Sequence, residues 1–171
     1  SRKSEEVEVT EVVEPWNVNV TERTIRMDVA RPIVWIGMKD DPSRFEGPLA
    51  KRRMAASVLI EALFGPSSVL NDELYTDGVI DDNLSYDEHY APDYGFLNLV
   101  AATERKDELV GRVKKALKDA ASEGIDERSY ELALRRLTGG LLRSFDSEEF
   151  VAYEFLVDRF RGMDLMERPS V

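Results

Sequence analysis

Leu63-Phe64-Gly65-Pro66-Ser67-Ser68-Val69-Leu70 is the stretch on which the fold turns. A helical pattern runs into it, and Gly65-Pro66 stops that pattern, because proline offers no N–H and clashes with the preceding turn. The two serines then supply hydroxyls suited to capping a new helix, predicted from about Ser67 to Asp77 with Gly78 as terminator. Upstream, Pro48 suits the first turn of the long helix. Met54, Ala55, Val58, Leu59, Ala62 and Leu63 fall on one of its faces, with Lys51, Arg52 and Glu61 off it. Lys51-Arg52-Arg53 reads accordingly as a solvated basic face.

Downstream of Gly78 the pattern turns extended, from Asp81 to Thr103, with a turn around Ala91-Pro92-Asp93. Phe96-Leu97-Asn98-Leu99-Val100 reads as a buried strand. Leu109, Val113, Ala116, Leu117 and Ala120 then make a helical stripe that ends before Gly124. Asp126 is a good N-cap for the next helix. Ile125 and Tyr130 are spaced for a hydrophobic staple, and Tyr130, Ala133, Leu134, Leu137 and Leu141 continue that face. Gly139-Gly140 within it costs about 1 kcal/mol per glycine against alanine, and close packing of a neighbouring element is the expected offset. Asp146 with Glu149 matches capping-box spacing before a last helix, whose expected buried face is Phe150, Tyr153, Val157 and Phe160 and whose end is Gly162.

Upstream of the long helix, Ile25, Met27 and Val29 alternate with Arg26 and Asp28, the period of a half-buried strand. After Pro32, the run Ile33-Val34-Trp35-Ile36-Gly37-Met38 fits a central strand covered on both faces. Lys39 to Gly47 carries Asp40, Asp41, Pro42 and Gly47 and is a loop. Residues 1–15 read as an acidic linker or edge segment, and 16–171 as a single domain. Strands followed by helices in a chain of 171 residues predict an α+β fold, a mostly antiparallel sheet with helices packed on one face.

Composition limits the function. The chain is 43% hydrophobic, 33% charged and carries a net charge of −11. That charge argues against nucleic acid, which needs clustered Lys and Arg, and against anionic membrane surfaces. No apolar run approaches the roughly 20 residues of a membrane helix. There is no cysteine, so no disulfide framework and no thiolate zinc site exist. A reducing, cytoplasmic location is expected. The chain does not start with Met and reads as an excised piece, so a missing leader says nothing about its parent.

Gly37, the helix ending Leu63-Phe64-Gly65, Ser68-Val69-Leu70, Leu74 and Gly78 follow one another in an order that resembles the second repeat of the pitrilysin/insulinase zinc peptidases. Asp93-Tyr94-Gly95-Phe96, the helix start Gly124-Ile125-Asp126 and the segment Leu137 to Gly140 fit the same template. Ile80-Asp81-Asp82 and Ser144-Phe145 through Ser147 and Glu149-Phe150 are most similar to the cytoplasmic bacterial branch. The resemblance implies a repeat like that of the mitochondrial processing peptidase, here cut short at its C-terminus. It implies paired homologous halves enclosing a chamber. One half carries H-x-x-E-H and zinc, which polarises the scissile carbonyl and activates water. Nothing here matches those ligands, so zinc is expected in the other half. The second half of many members contributes an arginine and, a short way on, a tyrosine that hold substrate. Those positions fall on Tyr75 and on Asp81 or Asp82, a departure that weakens any direct role in the transition state.

His89 lies near Asp87, Glu88 and Asp93, but the spacing is not that of a zinc helix and a solvated hairpin histidine is the plainer reading. Asp81-Asp82 is no acid/base pair if both lie on a strand, because neighbours there point to opposite faces. Tyr75, Tyr86, Tyr90 and Tyr94 either line a peptide groove or pack in the sheet. The sequence therefore predicts a non-catalytic half that forms one wall of a peptide chamber and is inactive alone. Its expected partners are a homologous N-terminal catalytic half or subunit and a peptide, with self-association of the isolated piece. The alternative is a structural or interaction domain of a catalytically dead member.

Overall fold

The computed structural model describes residues 15–164. The expected acidic segment lies almost wholly outside them, as do the last residues of the predicted domain. Three strands, β1 (Ile33–Lys39), β2 (Ser85–Tyr90) and β3 (Gly95–Ala102), form one sheet in the order β1-β3-β2, with both pairings antiparallel. Among the described residues five helices accompany it: α1 (Leu49–Phe64), α2 (Val69–Thr76), α3 (Lys106–Glu123), α4 (Glu127–Ser144) and α5 (Glu148–Phe160). A short 3-10 turn, Pro42–Arg44, interrupts the loop before α1. The fold is α+β, with helices on one sheet face.

The helix boundaries follow local chemistry. Ser68 accepts a hydrogen bond from the Asn71 N–H and starts α2; Gly78 closes it with φ +65°, where a side chain would be strained. Asp126 caps α4 by accepting from the Ser129 N–H at 2.9 Å. The cap of α5 is Ser147, which accepts from the Phe150 N–H, one residue later than the predicted Asp146.

Strand pleating decides which side chains enter the core. Val34, Ile36 and Met38 of β1 stand opposite Ala101, Leu99 and Leu97 of β3. On this face they meet Ile60 and Phe64 of α1, Leu74 of α2, and Leu109 and Val113 of α3. A second cluster, Val58, Ala62 and Ala133, joins the far side of α1 to α4. Helix α1 is thus a middle layer, with the sheet on one side and α4 on the other. Leu49–Thr76 is apolar and long enough to cross a membrane by composition, but half of its most apolar window is buried inside the protein, as a core helix would be.

Three expectations are corrected. The strand predicted at Ile25, Met27 and Val29 does not form; these side chains are 63%, 70% and 44% exposed, and alternation without a partner strand makes no ladder. The run from Ile33 is an edge strand with one open face, and β3 is the central strand. Arg52 and Glu61 are buried on α1, at 5% and 4% exposure, while Ala55 faces out.

Candidate functional site

The sheet has a face that carries no helix among the described residues. There Trp35 of β1 lies opposite Val100 of β3, Gly37 and Asp87 flank Asn98, and His89 of β2 lies opposite Phe96. His89 stacks on Phe96 at 4.7 Å between ring centroids, and Tyr94 stacks on the same ring at 6.1 Å. Trp35 is 69% exposed. The His89 Nε2 lies 2.6 Å from the Asp87 carboxylate, which holds the imidazole on its own strand. This aromatic surface is flanked by β1 and β2, neither of which pairs on its outer side among the described residues. Such edges offer backbone N–H and C=O groups to an added strand.

Behind that face, a polar seam fixes β2 to α1. The inward residues of β2 are Tyr86, Glu88 and Tyr90, spaced by two. They meet α1 residues spaced by about one turn. Tyr86 donates its hydroxyl to the Glu61 carboxylate, which Arg136 of α4 also approaches at 3.0 Å. Ser57 donates to Glu88 at 2.8 Å. Arg52 lies over the Tyr90 ring at 4.9 Å and donates to the Asp40 carboxylate at 3.0 Å. Burial, then the Glu61 carboxylate, pushes the Tyr86 phenol well above the usual tyrosine range; burial, then Asp40, does the same for Tyr90. Both phenols stay neutral donors at physiological pH.

The seam borders a cavity of about 590 Å³ between α1, β2, α4 and α5. Met54, Leu134, Leu137, Leu141, Phe150 and Met163 give it apolar walls, and Arg53, Glu61 and Glu88 line its polar side. Gly140 opens onto it. A Cβ added at Gly139 or Gly140 would meet no atom within 4 Å, so the close packing expected to offset these glycines is absent. The basic cluster is likewise not a solvated face. Lys51 is exposed, but Arg52 is in the seam, and Arg53 lies 3.9, 3.8 and 3.6 Å from Glu88, Glu154 and Asp158.

The residues singled out by sequence lie elsewhere. Tyr75, on α2, is 60% exposed, and its carbonyl accepts from the Gly78 N–H. Asp81 is paired with Arg31, and Asp82 accepts from the Asn83 N–H at 2.7 Å. Both aspartates occupy a bend before β2, not a strand. No hydrogen bond or ion pair among the described residues joins them to Tyr75, and none of the three lines the cavity. Of the four tyrosines weighed for a groove, Tyr86 and Tyr90 face the helices and Tyr94 joins the open face. No group of three His, Cys, Asp or Glu among the described residues is placed to hold a metal ion. The seam escaped the sequence reading because charged residues on a helix are assigned outward by periodicity. The signal that could have found it is the polar alternation of Tyr86, Glu88 and Tyr90 beside an apolar β3.

Comparison with known proteins places this geometry. Residues 8–137 match the family described as the peptidase M16 inactive domain. The chain is 31% identical over 167 residues to YmfH of Bacillus subtilis (strain 168), named as an uncharacterized zinc protease. That match covers 97% of this chain and 39% of YmfH, so the chain spans about two fifths of the relative's length. A crystal structure of a protein described as M16-like peptidase, from Alicyclobacillus acidocaldarius, superposes with a TM-score of 0.64 at 26% identity. It covers 72% of this chain and 29% of that one.

Proposed function

The chain belongs to the peptidase M16 inactive-domain family, and on that premise we propose that it forms one wall of a peptide-binding chamber and cleaves nothing alone. The opposing half supplies the zinc and the catalytic residues. The observation that carries this reading is the helix-free sheet face, where Trp35, Phe96, His89 and Tyr94 present ring surface to solvent. Aromatic faces bind peptide side chains with little sequence preference. The open edges of β1 and β2 would add affinity through backbone hydrogen bonds. The polar seam holds β2 against α1 behind that surface.

The test uses the full-length protein and a quenched fluorescent peptide. Trp35→Ala and Phe96→Ala should each raise KM about tenfold and leave kcat within a few-fold, as when binding common to ground and transition states is removed. Unchanged KM in both variants would refute the wall. A full-length protein that retains no zinc and cleaves no peptide would point to a binding domain of a dead member.

A further inference from the structure

Gly37 lies in the middle of β1, where neither backbone nor packing calls for glycine. Its φ is not in the left-handed region. Among the described residues, a Cβ added there would meet only the Asn98 Oδ1, at 3.7 Å, an ordinary van der Waals contact. Glycine inside a strand weakens it, through chain entropy and the missing side chain, and β-branched residues are favoured there. What remains is the other use of a strand glycine, which is room for a ligand or a second backbone to come close.

The ladder shows where this gap lies. Gly37 pairs with Asn98 of β3, and Asn98 pairs with Asp87 of β2, so the three cross the open face as one row. The row on one side is Trp35, Val100 and Ser85; on the other it is Lys39, Phe96 and His89. Same-face neighbours along a strand are about 7 Å apart, so the two flanking rows stand about 13 Å apart. Between them runs a trough, walled by Trp35 and Val100 and by the rings of Phe96 and His89. Its floor is one absent side chain and two polar ones. From Gly37 to Asp87 it spans about 10 Å, two strand spacings, which is the length of about three extended residues. Among the described residues no hydrogen bond engages the side-chain amide of Asn98, which offers two donors and an acceptor. Asp87, beside His89, closes the far end with a carboxylate that only accepts.

We propose that this trough is a subsite for the main chain of an extended peptide. The peptide crosses the strands over Gly37, sets its amide groups on Asn98 and lays its side chains against Trp35 and Phe96. The proposal rests on the reading of the open face as a chamber wall and adds where on that face the peptide lies. An amide suits main chain, because it donates to C=O and accepts from N–H whatever the peptide's side chains are. A side chain at position 37 would hold the peptide off the floor. Asp87 accepts a peptide N–H or a cationic group and repels a carboxylate.

Anisotropy of a fluorescein-labelled peptide with the sequence of the quenched substrate tests the trough, on the full-length protein with a chelator to stop cleavage. Gly37→Val should weaken binding about tenfold while the melting temperature holds or rises, since valine favours the strand. Gly37→Ala should act in the same direction and less. Asn98→Ala should weaken binding about tenfold, as when one or two hydrogen bonds are lost. Peptides N-methylated at one central residue at a time test the main-chain contact. At one position the methyl group should weaken binding to the unmodified protein and leave binding to Asn98→Ala nearly unchanged, the non-additivity of two changes at one contact. Trp35→Ala and Phe96→Ala report on the face as a whole. Weaker binding in those two with full affinity in Gly37→Val and Asn98→Ala would overturn the trough and leave the wall. Full affinity in all four, or no binding to the unmodified protein, would overturn both. A lower melting temperature in both Gly37 variants would give the glycine a structural role and overturn the proposal. So would the absence of any N-methyl position coupled to Asn98.

Discussion

Glu61 shows how a charged residue becomes structural. It sits one turn after Ser57 on α1, where the inner face of β2 offers Tyr86 rather than an apolar side chain, so burial is compensated by the phenol and by Arg136. Glu61→Ala would leave both donors facing a gap, and we expect a loss of about 1–3 kcal/mol in urea unfolding. Tyr86→Phe removes one hydroxyl and should cost less, about 1 kcal/mol. Equal stability of Glu61→Ala and the unmodified chain would show that the seam contributes nothing. Tyr75 is the opposite case, an exposed ring on α2. In the full-length protein Tyr75→Phe should leave turnover nearly unchanged. A fall in kcat of about 1,000-fold for Tyr75→Phe, the size of a lost oxyanion donor, would put its hydroxyl in the transition state.

Helix α4 carries the clearest element-scale expectation. Gly139 and Gly140 lie in its interior, and an added Cβ meets open space at either. Alanine at each should stabilise the fold by about 1 kcal/mol by lowering the freedom of the unfolded chain and favouring helix. A lower midpoint in thermal unfolding for both variants would reveal a need for glycine that the packing does not explain. The elements themselves were largely legible. Helix ends are set by serine, aspartate, glycine and proline acting over a few residues, so α1 to α4 could be placed from local chemistry. Facing is different, because it depends on what lies opposite. The apolar run of β1 implied cover on both sides, yet among the described residues no strand or helix covers Trp35. The alternation of Ile25, Met27 and Val29 found no ladder. Of the expected inward face of α5, Phe150 and Val157 are half-buried, but Tyr153 and Phe160 point outward while Glu154 and Asp158 face Arg53. A hydrophobic pattern assumes that apolar side chains alone fill the inner face of a helix; here Glu154 and Asp158 share it. For the same reason the family resemblance was legible from motif order, while the open sheet face, seam and cavity were not, since each is made by residues distant in sequence.

At the scale of the molecule, apolar exposure competes with charge. Ile33 and Trp35 on the sheet, the Ile25 to Val29 segment and the outer face of α5 leave several large apolar side chains in water, of the kind that marks contact surfaces. The net charge of −11 opposes association of identical copies. Repulsion between exposed charges weakens as the screening length falls from about 10 Å at 0.1 M salt to about 3 Å at 1 M, whereas apolar attraction does not. The isolated chain should therefore self-associate, and more strongly at high salt, with a dye for apolar surface bound at low protein concentration. It should also emerge from dialysis without stoichiometric zinc and cleave no peptide, because a catalytic zinc needs three protein ligands around an open position and the described residues place no such group. Adding the catalytic half should suppress both the dye signal and the self-association if the same apolar surfaces form the chamber contact. Light scattering that reports a strict monomer at high concentration and high salt, with no dye bound, would remove the case for a missing partner. Retained zinc with activity lost in His89→Ala would overturn the assignment of catalysis to the other half.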